Sequence, residues 1–177
     1  MRILRNVVIA IAALLVLFLV IAFFLPSRFA VERSTVIAAP AGEIYARVAT
    51  PRTWASWSAW NAKADSTLVY TYAGPDSGVG AIMRFTAKQM GNGELEIVEA
   101  VPGRVVGYEL RLAGTDMKVN GRVTLEPEGD GTKVTWRDSG DLGGNVLLRY
   151  LVPMLNGNLA AAYEKNFAGL RRETAAR

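Results

Sequence analysis

The stretch Met117–Asp138, MKVNGRVTLEPEGDGTKVTWRD, decides how the rest of the chain is read. Val119, Gly121, Val123 and Leu125 alternate with polar residues, Gly129-Asp130-Gly131 interrupts the run, and Thr132 to Asp138 resumes it. Alternation on both sides of a short glycine turn is the pattern of an antiparallel hairpin with one buried face and one wet face. Upstream the same punctuation recurs. Apolar-rich stretches 67–73, 81–88, 94–101 and 104–112 are divided by turn signals at Gly74–Gly78, Gly91-Asn92-Gly93, Pro102-Gly103 and Ala113-Gly114. Loops this short leave no room for crossovers, so the six stretches form an antiparallel meander.

The flanks complete the architecture. Phe29–Ile37 has the β-branched content of a further strand, and two short helices should follow it. The first is led by Pro40 and runs to Val48; the second carries Trp54 and Trp57. After Gly140–Gly144 the period turns helical, with Leu155, Leu159, Tyr163, Phe167 and Leu170 on one stripe and Pro153 at the start or a kink. The glycine-rich stretch lacks the Lys-Ser/Thr of a phosphate loop and reads as a hinge or lid. The expected fold is α+β: a seven-stranded curved antiparallel sheet wrapped around a long C-terminal helix, with two short helices after strand 1. An apolar ligand could sit between sheet and helix.

Ahead of this domain, residues 7–25 (VVIAIAALLVLFLVIAFFL) are an unbroken apolar run of 19. As a helix they extend roughly 28 Å, close to the hydrocarbon thickness of a bilayer. A secretory signal usually has a shorter core and a small-residue cleavage site, whereas Pro26-Ser27-Arg28-Phe29 follows here. The run therefore favours an uncleaved anchor, with a cleaved signal as the lesser alternative. Arg2 and Arg5 favour a cytoplasmic N-terminus, although Arg28 and Arg33 on the other flank weaken that orientation. The expected organisation is an anchor over 1–28 and a ligand-binding domain over 29–177, in a single-pass protein of the bacterial inner-membrane kind. The domain would lie outside the cytoplasm.

Composition divides at the same boundary. Of the first 30 residues 24 are hydrophobic, and from position 31 onward 17 basic residues face 16 acidic ones. The net charge of +4 thus belongs mainly to the flanks of the apolar run and gives no argument for a nucleic-acid partner. The chain contains no His and no Cys. That excludes disulfides, thiolate nucleophiles, zinc sites of the usual donor sets and a Ser-His-Asp triad. No metal or other cofactor is expected.

Several strings, in order, are similar to a known superfamily. They are Val31-Glu32-Arg33-Ser34 with Ala39-Pro40, and Trp54-Ala55-Ser56-Trp57-Ser58-Ala59-Trp60; then Tyr72 to Ala81, Val106-Gly107-Tyr108-Glu109-Leu110, and Gly131 to Trp136. Residues 31–172 resemble the SRPBCC, or START-like helix-grip, superfamily, in particular its polyketide cyclase/dehydrase and lipid-transport branch. The resemblance implies the same sheet-and-helix fold and a cavity for an apolar molecule. Its members include lipid and sterol carriers, coenzyme Q-binding proteins, aromatic cyclases and chaperone activators, and the fold does not choose among them. Ala59 stands where the branch has Pro in its tryptophan segment, and Phe85 where relatives often carry Trp; both bear on cavity shape.

The candidate ligand-binding residues are Trp60, Tyr70, Tyr72, Phe85, Tyr108, Glu109, Arg111, Trp136, Tyr163 and Phe167. As a set the aromatics could line a pocket, though each taken singly reads as core filler. Trp54 and Trp57 read as packing. Glu109 and Arg111 share a strand face, either as an internal polar pair holding a head group or as cross-strand partners on the wet face. Arg84, Arg137 and Asp138 fit the wet face too, and Asp65 fits a cap or turn. No catalytic residue stands out. The expected function is non-catalytic binding of a lipid, quinone or polyketide-like molecule, with the bilayer engaged through residues 7–25. The alternatives are a cyclase or dehydratase on an apolar substrate, and an envelope interaction domain with a filled core.

Overall fold

The computed structural model describes residues 1–115 and 117–175. Its element order is α1 (Arg2–Phe24), β1 (Arg28–Ile37), α2 (Ala41–Val48), a 3-10 turn (Pro51–Thr53), α3 (Trp54–Trp57), β2 (Val69–Ala73), β3 (Ile82–Ala87), β4 (Gly91–Val101), β5 (Val105–Leu112), β6 (Lys118–Glu128), β7 (Gly131–Asp141), a second 3-10 turn (Val146–Leu151) and α4 (Val152–Ala175). The sheet is antiparallel throughout, in the order β1-β7-β6-β5-β4-β3-β2. The hairpin over 117–138 is its centre of gravity: β6 and β7 pair over their whole length, from Lys118 with Asp141 to Glu128 with Gly131.

Alternation sorts the faces as the sequence implies. Val119, Gly121, Val123 and Leu125 of β6 and Thr132, Val134, Trp136 and Asp138 of β7 are buried, while the residues between them are more exposed. The inner face meets α4 and the short helices in one core containing Ile37, Ile44, Trp57, Ile97, Val123, Trp136 and Phe167. Trp54 and Trp57 belong to that core, and Trp54 donates its indole N–H to the Val48 carbonyl at 3.0 Å. Asp65 is buried as a loop clamp. Its carboxylate accepts from the backbone of Thr67, Gln89 and Met90, and these bonds, with that from the Thr67 hydroxyl, hold its pKa down at about 2.

Two glycine-rich segments differ from the sequence expectation. Gly91-Asn92-Gly93 does not form a separate turn; β4 begins at Gly91. A Cβ on Gly93 would collide with the Phe85 ring, so the glycine is there to let that ring lie flat across the neighbouring strand. Likewise β7 continues through Gly140 and Asp141 because β1 supplies partners as far as Arg28. Only Leu142–Asn145 is left to link strand and 3-10 turn.

Helix α1 is long and apolar enough to cross a membrane, by length and composition. Those two properties also fit a signal sequence. Within it Ala22 is buried, and the apolar side chains around it are exposed.

Candidate functional site

A cavity of about 160 Å³ lies between the sheet and the first half of α4. Its walls are apolar: Leu95, Leu110, Leu112 and Val119 from the sheet, Leu155 and Leu159 from the helix. Trp54 and Trp60 close one side, and Met90 and Met117 from the adjoining turns reach its edge. Methionine suits such a margin, since its unbranched chain adapts to irregular surfaces.

The floor is polar and is built by register. Tyr108, Gly121 and Asp138 are direct neighbours across β5, β6 and β7. A Cβ on Gly121 would strike the Tyr108 ring and the Asp138 carboxylate, so glycine at that point lets the ring cross to the far strand. The Tyr108 hydroxyl donates to Asp138 Oδ1 at 2.6 Å and accepts from the Trp136 indole N–H at 2.8 Å. The Tyr163 hydroxyl, from α4, donates to the Val31 carbonyl at 3.4 Å and faces the same carboxyl. Asn166, buried on the next turn of α4, accepts from the Ala59 backbone N–H at 2.6 Å and ties the tryptophan segment to the helix.

Burial governs the chemistry of this floor. Asp138 is 5% exposed. Loss of solvent pushes its pKa up to about 6, with the Tyr108 hydrogen bond and the nearby donors of Tyr163 and Trp136 acting in the opposite direction. Burial pushes the Tyr108 and Tyr163 hydroxyls well above their usual range, and the neighbouring carboxylate adds to the effect. Both tyrosines stay neutral, while Asp138 titrates close to neutrality. The floor therefore offers a donor, an acceptor and one exchangeable proton to an oxygenated group.

The ten candidate residues fall into three groups. Trp60, Tyr108, Trp136 and Tyr163 line the cavity. Tyr70, Phe85 and Phe167 stand behind it. The Tyr70 hydroxyl donates to the Trp60 carbonyl at 2.6 Å, Phe85 packs edge-on to Trp60 at 5.3 Å, and Phe167 packs against Trp136 at 6.5 Å. The remaining three are elsewhere. Tyr72 lies under the Arg52 guanidinium at 4.6 Å. Glu109 and Arg111 pair at 2.8 Å on the outer face, where Glu94 and Glu96 also approach the guanidinium. Strand geometry forces that outcome: Tyr108 and Leu110 point inward, so the residues alternating with them point out.

The floor residue absent from the sequence candidates is Asp138. Its position was legible, because it continues the inward series Val134, Trp136. Its charge argued for the wet face instead, where burial without a partner would not be penalised. Asn166, uncharged but polar, is buried on the helix.

A curved antiparallel sheet gripping a C-terminal helix, with a cavity between them, defines a helix-grip protein. The chain belongs to the polyketide cyclase/dehydrase and lipid transport family, whose model matches residues 28–175. No curated protein matches it in sequence. Among solved structures it is similar to protein CV1439 from Chromobacterium violaceum, at 19% identity and a TM-score of 0.62 over 84% of this chain and 98% of that one. It is also similar to the di-domain ARO/CYC BexL, at 17% identity and a TM-score of 0.62, over 85% of this chain and 51% of that one. Norcoclaurine synthase from Thalictrum flavum gives 13% identity and a TM-score of 0.61 over 84% and 97%. At these identities the likeness is one of fold.

Proposed function

We propose that this chain is a membrane-anchored holder of a hydrophobic small molecule (a lipid, quinone or polyketide-like compound) and performs no chemistry on it. The observation that carries this reading is the apolar cavity with a small polar floor, which suits a ligand with an apolar body and one oxygenated end. Family membership supports it, since lipid transport is one of the two activities in the family's description.

The volume says how such a ligand would enter. About 160 Å³ is less than the roughly 300–1,000 Å³ typical of pockets for drug-sized ligands. A larger guest must displace part of the wall, and the half-exposed start of α4 is the part least held by the core. At the floor, ionised Asp138 accepts from a ligand hydroxyl and protonated Asp138 donates to a carbonyl. Anchoring through α1 keeps the domain beside the bilayer, where apolar ligands concentrate. With Arg2 and Arg5 on the cytoplasmic side, the domain lies across the membrane from them.

Native mass spectrometry of the full chain after gentle detergent extraction tests the reading. The expected spectrum contains protein carrying one lipid-sized or quinone-sized adduct. A chain that never carries or accepts such a molecule contradicts it.

One observation favours a second reading, an enzyme of the cyclase or dehydratase type. Asp138 is a buried carboxyl near pKa 6 beside the Tyr108 hydroxyl, the kind of group general acid–base catalysis requires. An enzyme would release its bound molecule chemically altered, lighter by one water in a dehydration, and Asp138→Asn would stop that change. A holder releases it unaltered.

A further inference from the structure

The second 3-10 turn, Val146–Leu151, and the apolar helix α1 are in contact, and the contact is specific. The Phe18 and Tyr150 rings stack with centroids 4.3 Å apart and planes 6° from parallel. The Tyr150 hydroxyl donates to the Phe18 carbonyl at 2.7 Å. Arg149 donates to the Phe23 and Leu25 carbonyls at 2.7 and 3.3 Å. The last turn of α1 has no basic residue of its own, so Arg149 supplies the positive charge that complements a helix C-terminus. Both polar side chains of the turn Val146–Leu151 are thus turned onto α1.

Apolar side chains of this turn and of the start of α4 stay exposed. Leu147, Leu148, Leu151 and Met154 are 49, 37, 44 and 58% exposed, a cluster on one short segment beside the most apolar helix of the chain. Contiguous exposure of this kind marks a surface made for an apolar neighbour.

The strand ends show where that neighbour must be. Arg28 of β1 pairs with Asp141, and Asp141 with Lys118. Lys118 pairs with Arg111, next to Leu112, and Leu112 with Gly93, two residues beyond Gly91 and its partner Ala87. One end of the sheet therefore carries the entry from α1, the turns bearing Met90 and Met117, and Leu112. Leu155 and Leu159 close the same end from α4, and all five of these cavity residues are only half-buried. The cavity opens toward the end where α1 enters, with only Leu25–Ser27 between helix and strand.

We propose that this rim is a bilayer-docking surface, in which Val146–Leu151 and Met154 sit in the headgroup and upper acyl region of the membrane that α1 crosses and the cavity mouth opens directly onto lipid. The inference rests on the anchor reading of α1. Depth follows from the contacts. Phe18 lies seven residues before Leu25, about 10 Å further along the helix axis. If the run 7–25 fills the hydrocarbon layer, Tyr150 is held at that depth, at the deep end of the roughly 5–10 Å to which interfacial segments sink. Arg149 then sits at the carbonyl end of α1, at the membrane surface, where arginine is tolerated.

The absence of cysteine makes the test direct. Single variants Leu148→Cys, Met154→Cys, Leu15→Cys and Asp130→Cys of the full chain each carry an environment-sensitive fluorophore. They are reconstituted into phosphatidylcholine/phosphatidylglycerol vesicles containing nitroxide-labelled acyl chains. The proposal expects strong quenching at Leu148 and Met154, approaching that at Leu15 within α1. It expects none at Asp130, in the turn at the opposite end of the sheet. Quenching at Leu15 with none at Leu148 and Met154 overturns the docking surface and leaves the anchor standing. Absence of quenching at Leu15 overturns both. Ligand occupancy measured on the same vesicles is independent: quenching at the rim without any bound ligand supports docking and contradicts the binding function.

Discussion

Helix α4 is one element with two kinds of surface. From Tyr163 to Leu170 it is locked down: Tyr163, Asn166, Phe167, Gly169 and Leu170 are buried, and Gly169 lies so close to the Trp57 carbonyl that a Cβ would collide with it. From Pro153 to Ala162 no residue is fully buried, Gly157 faces open space, and Leu155 and Leu159 look into the cavity. Close packing cannot coexist with an adjustable void, so the fold places cohesion in one half of the helix and compliance in the other. The polar floor of Tyr108, Asp138 and Tyr163 sits at the division between them.

Truncations probe this contrast most strongly. Leu170→Ala removes a fully buried side chain and should cost about 2–5 kcal/mol. Leu159→Ala, at the same helix spacing but on the cavity, should cost about 1 kcal/mol or less, because no packed contact is lost on its open side. Equal costs in urea unfolding would dissolve the distinction.

The two glycines sharpen it by sign. Gly169→Ala should destabilise by about 3 kcal/mol, the upper end for forced overpacking, since the obstruction is backbone. Gly157→Ala should stabilise by about 0.5–1 kcal/mol, the ordinary gain in an exposed helix. Thermal unfolding of both variants settles the point.

Asp138→Asn tests the division itself. Burial lifts the folded-state pKa above the ordinary carboxyl value of 3.8, so the stabilising difference is fully present below pH 3.8 and is lost as pH rises through about 6. Asn avoids that loss, and can still accept from Tyr108. The variant should be more stable than wild type by up to about 3 kcal/mol at neutral pH, with the gain vanishing near pH 4. A gain independent of pH would mean that Asp138 does not titrate as a buried carboxyl. The smallest effect is expected on the outer face. Replacing Glu109 and Arg111 together by Gln should change stability by less than about 1 kcal/mol, because the pair is partly solvated and Glu94 and Glu96 face it.

The same contrast explains what the sequence revealed. Strands, short helices and the long helix were readable because their residues obey one period each. Tyr108, Trp136 and Tyr163 came out on the cavity because they fall on inward positions of those periods. Glu109 and Arg111 do not, and their alternation with inward Tyr108, Leu110 and Leu112 already said so. Asp138 was concealed by its charge, although Gly121 amid Val119 and Val123 signalled that something large crossed that strand. The extent of the cavity was not legible, because it depends on how far the first half of α4 stands off the sheet. That separation is set by three-dimensional packing around Tyr163 and Asn166, which no local pattern encodes.

The central claim is that this gap holds an apolar molecule, and occupancy in paired variants tests it most directly. Ala162→Phe places a ring among the cavity-lining residues, while the Glu109→Gln/Arg111→Gln variant leaves the cavity untouched. Native mass spectra of the detergent-extracted full chain should show a bound adduct in wild type and in the outer-face variant, and lose it in Ala162→Phe. An adduct retained undiminished in a folded Ala162→Phe protein, or lost from the outer-face variant alone, would contradict the account.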